Sequence, residues 1–179
     1  MHTENKIPII VVMGVGNILL RDEGAGVRVI QKLEREYEFP DHVDIIDGGV
    51  QGLSLMSVID RADILIVVDA VKLGGQPGDL FRVPWEEIPD RTRYKDSLHQ
   101  VDFVETMSLM PLIGRVPQTV IIGVEPEDIH SWSLDLSPAV AARIPDLCRM
   151  VLDELKTLGV SPGPKESEPQ TAVWHRPPP

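Results

Sequence analysis

Three residues able to do chemistry stand where apolar stretches give way to loops or helix starts: Glu23, Asp69 and His99. Asp69 closes the run Ile64-Leu65-Ile66-Val67-Val68, where a carboxylate is costly to bury unless it is hydrogen-bonded or bound to a cation. Alone, it reads equally well as a structural hydrogen-bonding group or as a site residue, because buried polar groups are as a rule satisfied. Asp22 and Glu23 precede a helical pattern, where acids also cap the helix and complement its dipole. His99 follows Ser97, a good N-cap residue, and a histidine near a helix start serves structural roles as readily as ligation. Taken together, two carboxylates and an imidazole suit a borderline divalent ion such as nickel, zinc or manganese, and three protein ligands leave coordination positions open. Only the fold can bring residues so far apart in sequence into one place.

Other motifs carry weaker chemistry. Gly14-Val15-Gly16-Asn17 follows an apolar run and invites a dinucleotide-binding reading, but the third glycine of that fingerprint is replaced by Leu19. A nucleotide- or cofactor-binding module stays open as an alternative, and so does a noncatalytic nickel chaperone using the same acids and histidine. Cys148 falls beside the apolar face of a helix and reads as a core thiol. Trp85 and Trp132 fall in segments read as loops, where they form a partner surface or cover the core.

The elements that must position these residues follow from the patterning. Buried strands are expected at 7–13, 43–46, 64–68 and 119–124, from continuous β-branched runs. A further strand is expected near 80–83. Helices are expected over 24–37, through Leu53, Met56 and Ile59, from Ser97 through Met110, and from Pro138 to Leu158. The segment 84–96 reads as a surface loop. Strands alternating with helices imply an α/β three-layer sandwich: a mostly parallel twisted sheet with helices on both faces. Such sheets bind ligands beyond the carboxyl ends of their strands, which directs attention to the Gly14-to-Glu23 loop, Asp47, Asp69 and Glu125.

Length and charge narrow the classes. A chain of 179 residues fits one domain. We place that domain at 1–160 and a disordered tail at 161–179, where six of the 16 prolines fall and periodicity ends. A formal charge of −11 disfavours nucleic-acid and anionic-membrane partners and favours cations or a basic partner. One cysteine rules out an intramolecular disulfide and a cysteine-rich metal cage. With neither a membrane-length apolar run nor a secretory-signal pattern, a soluble cytoplasmic protein is expected.

The ordered motifs resemble the hydrogenase maturation proteases, which trim the C-terminal extension from the large subunit of nickel-iron hydrogenases. The resemblance runs through GVGNILLRDEGAGVRV (14–29), DGGVQG (47–52), DILIVVDAV (63–71), PGDL (77–80), SLHQ (97–100), IIGVEPE (121–127) and LSPAV (136–140). Val50 replaces a threonine common in the family, and Val124 an isoleucine. The resemblance implies a monomeric peptidase whose partner is the hydrogenase large-subunit precursor. It implies that Glu23, Asp69 and His99 bind nickel carried in by that precursor and act as the catalytic set. A ligand carboxylate or Asp22 is then the candidate general base, and the Gly48-Gly49 turn would admit a peptide backbone.

Overall fold

The computed structural model describes residues 6–88 and 98–165, with the side chains of 98–102, 104, 105 and 113 outside that description. Its centre is a five-stranded sheet in the order β3-β1-β4-β6-β5. The strands are β1 (Ile10–Val15), β3 (Val43–Gly49), β4 (Ile64–Ala70), β5 (Leu80–Pro84) and β6 (Gln118–Val124). β1 pairs in parallel with β3 and β4, and β4 with β6; β5 closes one edge antiparallel to β6. The mostly parallel sheet expected from the sequence is therefore present.

Strand alternation divides the apolar residues between two cores. Ile10, Val12, Ile66, Val68 and Ile122 pack with Val29, Ile30 and Leu33 of α1 (Ala25–Glu36) and Leu147, Val151 and Leu155 of α5 (Ile144–Thr157). Val11, Met13, Leu65, Val67 and Ile121 pack on the other face. There they meet Ile59 of α2 (Met56–Arg61) and Phe103, Met107 and Met110 of α3 (Leu98–Ile113). Burial on both faces explains why the strands read as unbroken β-branched runs and not as alternating ones.

Several local expectations are corrected. The last helical pattern is two helices, α4 (Pro138–Ala141) and α5, because the chain turns at Ala142 and Arg143. Trp85, expected in a surface loop, sits in a short 3-10 turn (Trp85–Glu87) and is buried edge-on against Phe103. The rest of that loop through residue 96, and the Ser97 cap, lie outside the described residues. Residues 163–165 belong to the fold instead of a structureless tail: β7 (Gly163–Pro164) pairs antiparallel with β2 (Tyr37–Glu38), and the Lys165 amide donates to the Glu36 carbonyl at 2.9 Å. Residues 166–179 lie outside the described residues. No helix among the described residues is long and apolar enough to cross a membrane.

Candidate active site at the carboxyl edge

The chain leaves β1 toward β3 on one side and returns to β4 on the other, so the β1–β4 pair is the point where strand order reverses. Open α/β sheets bind ligands in the crevice beyond that point. Asp69 lies at the end of β4 there, and Glu23 lies in the 3-10 turn (Arg21–Gly24) that follows β1. Both are buried, at 2% exposure for Glu23 and 1% for Asp69.

Two glycines allow this approach. A Cβ on Gly26, in the first turn of α1, would collide with the carbonyl oxygens of Val68 and Val15. The helix start therefore sits directly on the backbone of β1 and β4, and the 3-10 turn packs against β4. Gly16 has φ +129, and a Cβ there would strike the Glu23 carbonyl. The glycine-rich loop thus closes onto its own chain, in contrast to the open phosphate cradle of a dinucleotide site. Arg21, at φ 41, carries strain in the same turn as it directs Asp22 and Glu23 inward.

Asp22 has a structural task that the sequence did not disclose. Fully buried, it accepts from the backbone amides of Glu127 (2.9 Å), Asp128 (3.0 Å) and Ser137 (2.6 Å). Both oxygens are committed to holding the loop after β6, which argues against the general-base role considered for this residue. Glu125 acts similarly: its two oxygens accept from the amides of Leu73 (2.8 Å) and Gly74 (3.3 Å), pinning the loop after β4. Asp69 Oδ1 accepts from the Ala70 amide at 2.7 Å. Asp47 is exposed at the end of β3.

His99 lies in the first turn of α3, and its side chain is not among those described. The helix direction is nonetheless defined. Past its carboxyl end, Arg115 donates from its backbone to Asp60 (2.9 Å) and from its guanidinium to Asp63 (2.5 Å). Asp63 also accepts from the Ile9 amide, which precedes β1, so this end marks the amino edge of the sheet. That amide first, and the guanidinium second, hold the Asp63 carboxyl below its ordinary range. Sixteen helical residues span about 24 Å, which carries the backbone of residues 98–100 back toward the carboxyl edge. Val67 and Val71, flanking Asp69 at two-residue spacing, belong to the core beneath α3. Among the described side chains, no three His, Cys, Asp or Glu residues are grouped to hold a metal.

An apolar cavity of about 230 Å³, not expected from the sequence, is lined by Val71, Leu73, Phe81, Val83, Glu87 and Ile88 among others. The alternating odd-numbered positions of β5 and the residues after Asp69 were its only signal.

An α/β sheet with two buried carboxylates at its strand-order reversal is a common enzyme design; comparison with known proteins makes it specific. The family model described as hydrogenase maturation protease matches residues 27–154. The hydrogenase expression/formation protein HupD of Bradyrhizobium diazoefficiens is 44% identical over 159 residues, covering 86% of this chain and 83% of that protein. The hydrogenase 2 maturation protease of Escherichia coli is 38% identical, covering 88% and 97% respectively. Among solved structures, the hydrogenase maturating endopeptidase HybD from Escherichia coli superposes with a TM-score of 0.81 at 37% identity, over 87% of this chain and 97% of that one. The chain belongs to the hydrogenase maturation protease family and is a peptidase.

Proposed function

We propose that this peptidase removes the C-terminal extension of a nickel-iron hydrogenase large-subunit precursor once nickel has been inserted. On this reading it recognises the substrate's nickel through Glu23, Asp69 and His99. The observation that carries the proposal is the burial of Glu23 and Asp69 on touching elements at the strand-order reversal of a hydrogenase maturation protease fold. The run of α3 supports the third ligand, because it returns residue 99 to the same edge and to the sheet face that Asp69 occupies by alternation. Carboxylate and imidazole donors suit nickel. A nickel ion arriving with the substrate supplies Lewis acidity toward the scissile carbonyl or a nearby water. The chain's own residues orient that ion, and Glu23 or Asp69 is the base within the set, since Asp22 is engaged elsewhere. The resemblance that implies the partner also implies a monomeric enzyme.

His99→Ala is expected to abolish trimming while leaving the circular dichroism spectrum intact, with the precursor's mass as readout. A normally trimmed large subunit from that variant would remove His99 from the site. Efficient cleavage of nickel-free precursor by the unmodified protein would eliminate recognition of the ion and leave the peptidase assignment standing.

A further inference from the structure

The loops that follow β1 and β6 at the carboxyl edge are stitched into one surface. Leu20 and Ser133 form an isolated parallel bridge, in which the Ser133 amide donates to the Leu19 carbonyl and the Arg21 amide to the Ser133 carbonyl, both at 3.0 Å. In the first loop the Asn17 side-chain oxygen accepts from the Leu19 amide at 3.0 Å. Asp22 clamps the second at both ends, through the amides of Glu127 and Asp128 and of Ser137. Between those ends the Arg28 guanidinium donates to the Leu134 carbonyl at 2.9 Å. Alternation along extended chain sends the neighbours of the bridged pair to the opposite side, and exposure follows that pattern. Leu20 and Ser133 are half-buried, whereas Leu19, Trp132 and Leu134 are 45%, 80% and 61% exposed. A tryptophan held in water on a fixed loop offers a partner roughly 150–250 Å² of surface to bury, at little further ordering cost.

Arg21 adds charge to the same strip. Its Nε is buried without a hydrogen-bond partner among the described residues, and its backbone is held at φ 41. Buried donors are as a rule paired, and backbone strain gathers at ligand-binding sites. Asp128 feels the guanidinium least among the groups that lower its carboxyl, after the Ser131 hydroxyl and the His130 and Ser131 amides. In a chain of charge −11, an arginine donor left unsatisfied complements a carboxylate from outside.

We propose that Leu19, Trp132, Leu134 and Arg21 dock the folded body of the precursor, through an apolar patch of that body bearing a carboxylate and apart from the extension that is removed. The inference rests on the proposed function. Leu19 and Arg21 stand within four residues of Glu23 in the chain, so a body seated on this strip brings its processed end to the buried acids. Tryptophan and arginine are the side chains that most often carry the energy of an interface. A patch this small makes a transient complex, which suits an enzyme that must release its product.

The test uses the full-length protein with two probes: nickel-loaded precursor, its cleavage followed by mass, and a large subunit with the extension deleted genetically, its binding followed by calorimetry. Trp132→Ala and Leu134→Ser, both at exposed positions, are expected to raise KM at least about tenfold with kcat unchanged. Each should weaken binding of the subunit without extension by a similar factor. Arg21→Asn removes the charge with a residue that tolerates positive φ. It should raise KM and flatten the rise of KM with salt, and Arg21→Lys should restore part of that salt dependence. Natural KM and affinity from the folded Trp132 and Leu134 variants would overturn the docking surface, and so would failure of the unmodified protein to bind the subunit without extension. Either result leaves cleavage, and with it the peptidase reading, intact. A dimer that Trp132→Ala dissociates, with precursor affinity unchanged, would assign the strip to a second copy of the chain and overturn the proposal. Failure of the unmodified protein to cleave nickel-loaded precursor would overturn both readings.

Discussion

Replacing Asp22 by alanine tests how the site's first acid loop is held. The carboxylate accepts three backbone amides, from Glu127, Asp128 and Ser137, and is itself fully buried. Hydrogen bonds to a charged acceptor contribute about 1.5–3 kcal/mol each, so the gross loss is about 5–9 kcal/mol. Burying the carboxylate carries a desolvation penalty of several kcal/mol that the variant no longer bears. The net destabilisation expected is about 3–5 kcal/mol, since three backbone amides lose their acceptor at about 1–3 kcal/mol each, partly offset by that relief. In a chain of this length, that lowers the melting temperature by about 6–20 °C. Asp22→Asn keeps one carbonyl acceptor, so its loss should be about half as large. Urea unfolding followed by circular dichroism measures the free energy. Amide hydrogen exchange at Glu127, Asp128 and Ser137 identifies its source, with protection falling most at these three positions. A loss under about 1 kcal/mol, with all three amides still protected, would refute the reasoning.

Four further outcomes follow from separate features. Gly26→Ala forces a Cβ against the Val68 and Val15 carbonyls and should cost about 3 kcal/mol, visible as a lower denaturation midpoint. Ser137→Ala removes the side chain that accepts from the Val140 amide at 3.3 Å and should cost about 1 kcal/mol in the same assay. Asp128 is held down to about 2, first by the Ser131 hydroxyl and then by the His130 and Ser131 amides. Its contribution is therefore present above the ordinary aspartate value of 3.8 and lost as pH falls through about 2. Asp128→Asn should flatten the decline in urea midpoint between those pH values, and an unchanged acid limb would contradict it. Arg82 makes a two-pronged pair with Glu154 (2.6 and 2.8 Å) but is about half exposed. Arg82→Ala should cost at most about 1 kcal/mol, and less in high salt.

The acid pair and the sheet were legible for the same reason. Asp69 interrupts a β-branched run, and Glu23 stands between a glycine-rich turn and a 3.6-period helix, so local patterning exposes both. His99 was legible as a residue near a helix start, although its side chain lies outside the described residues. The role of Asp22 was not legible, because its partners are more than 100 residues away and are backbone amides, identical in every residue but proline. The same holds for Trp85: only the arrival of Phe103 from α3 turns an apparent loop residue into a core one. Pairing of Gly163–Pro164 with Tyr37–Glu38 has no compositional signal at all, since two-residue strands are too short to impose a pattern.

What the chain's order of residues determined by itself was the set of elements and the chemistry available at their ends. Periodicity and β-branching are properties of neighbours, and a carboxylate after an apolar run is visible without coordinates. Tertiary structure alone decided which of those ends meet at the β1–β4 reversal, which acid is consumed in holding a loop, and where an apolar cavity opens between the loop after β4 and β5. Those outcomes depend on contacts between segments far apart in the chain, and such contacts are set by how whole layers pack.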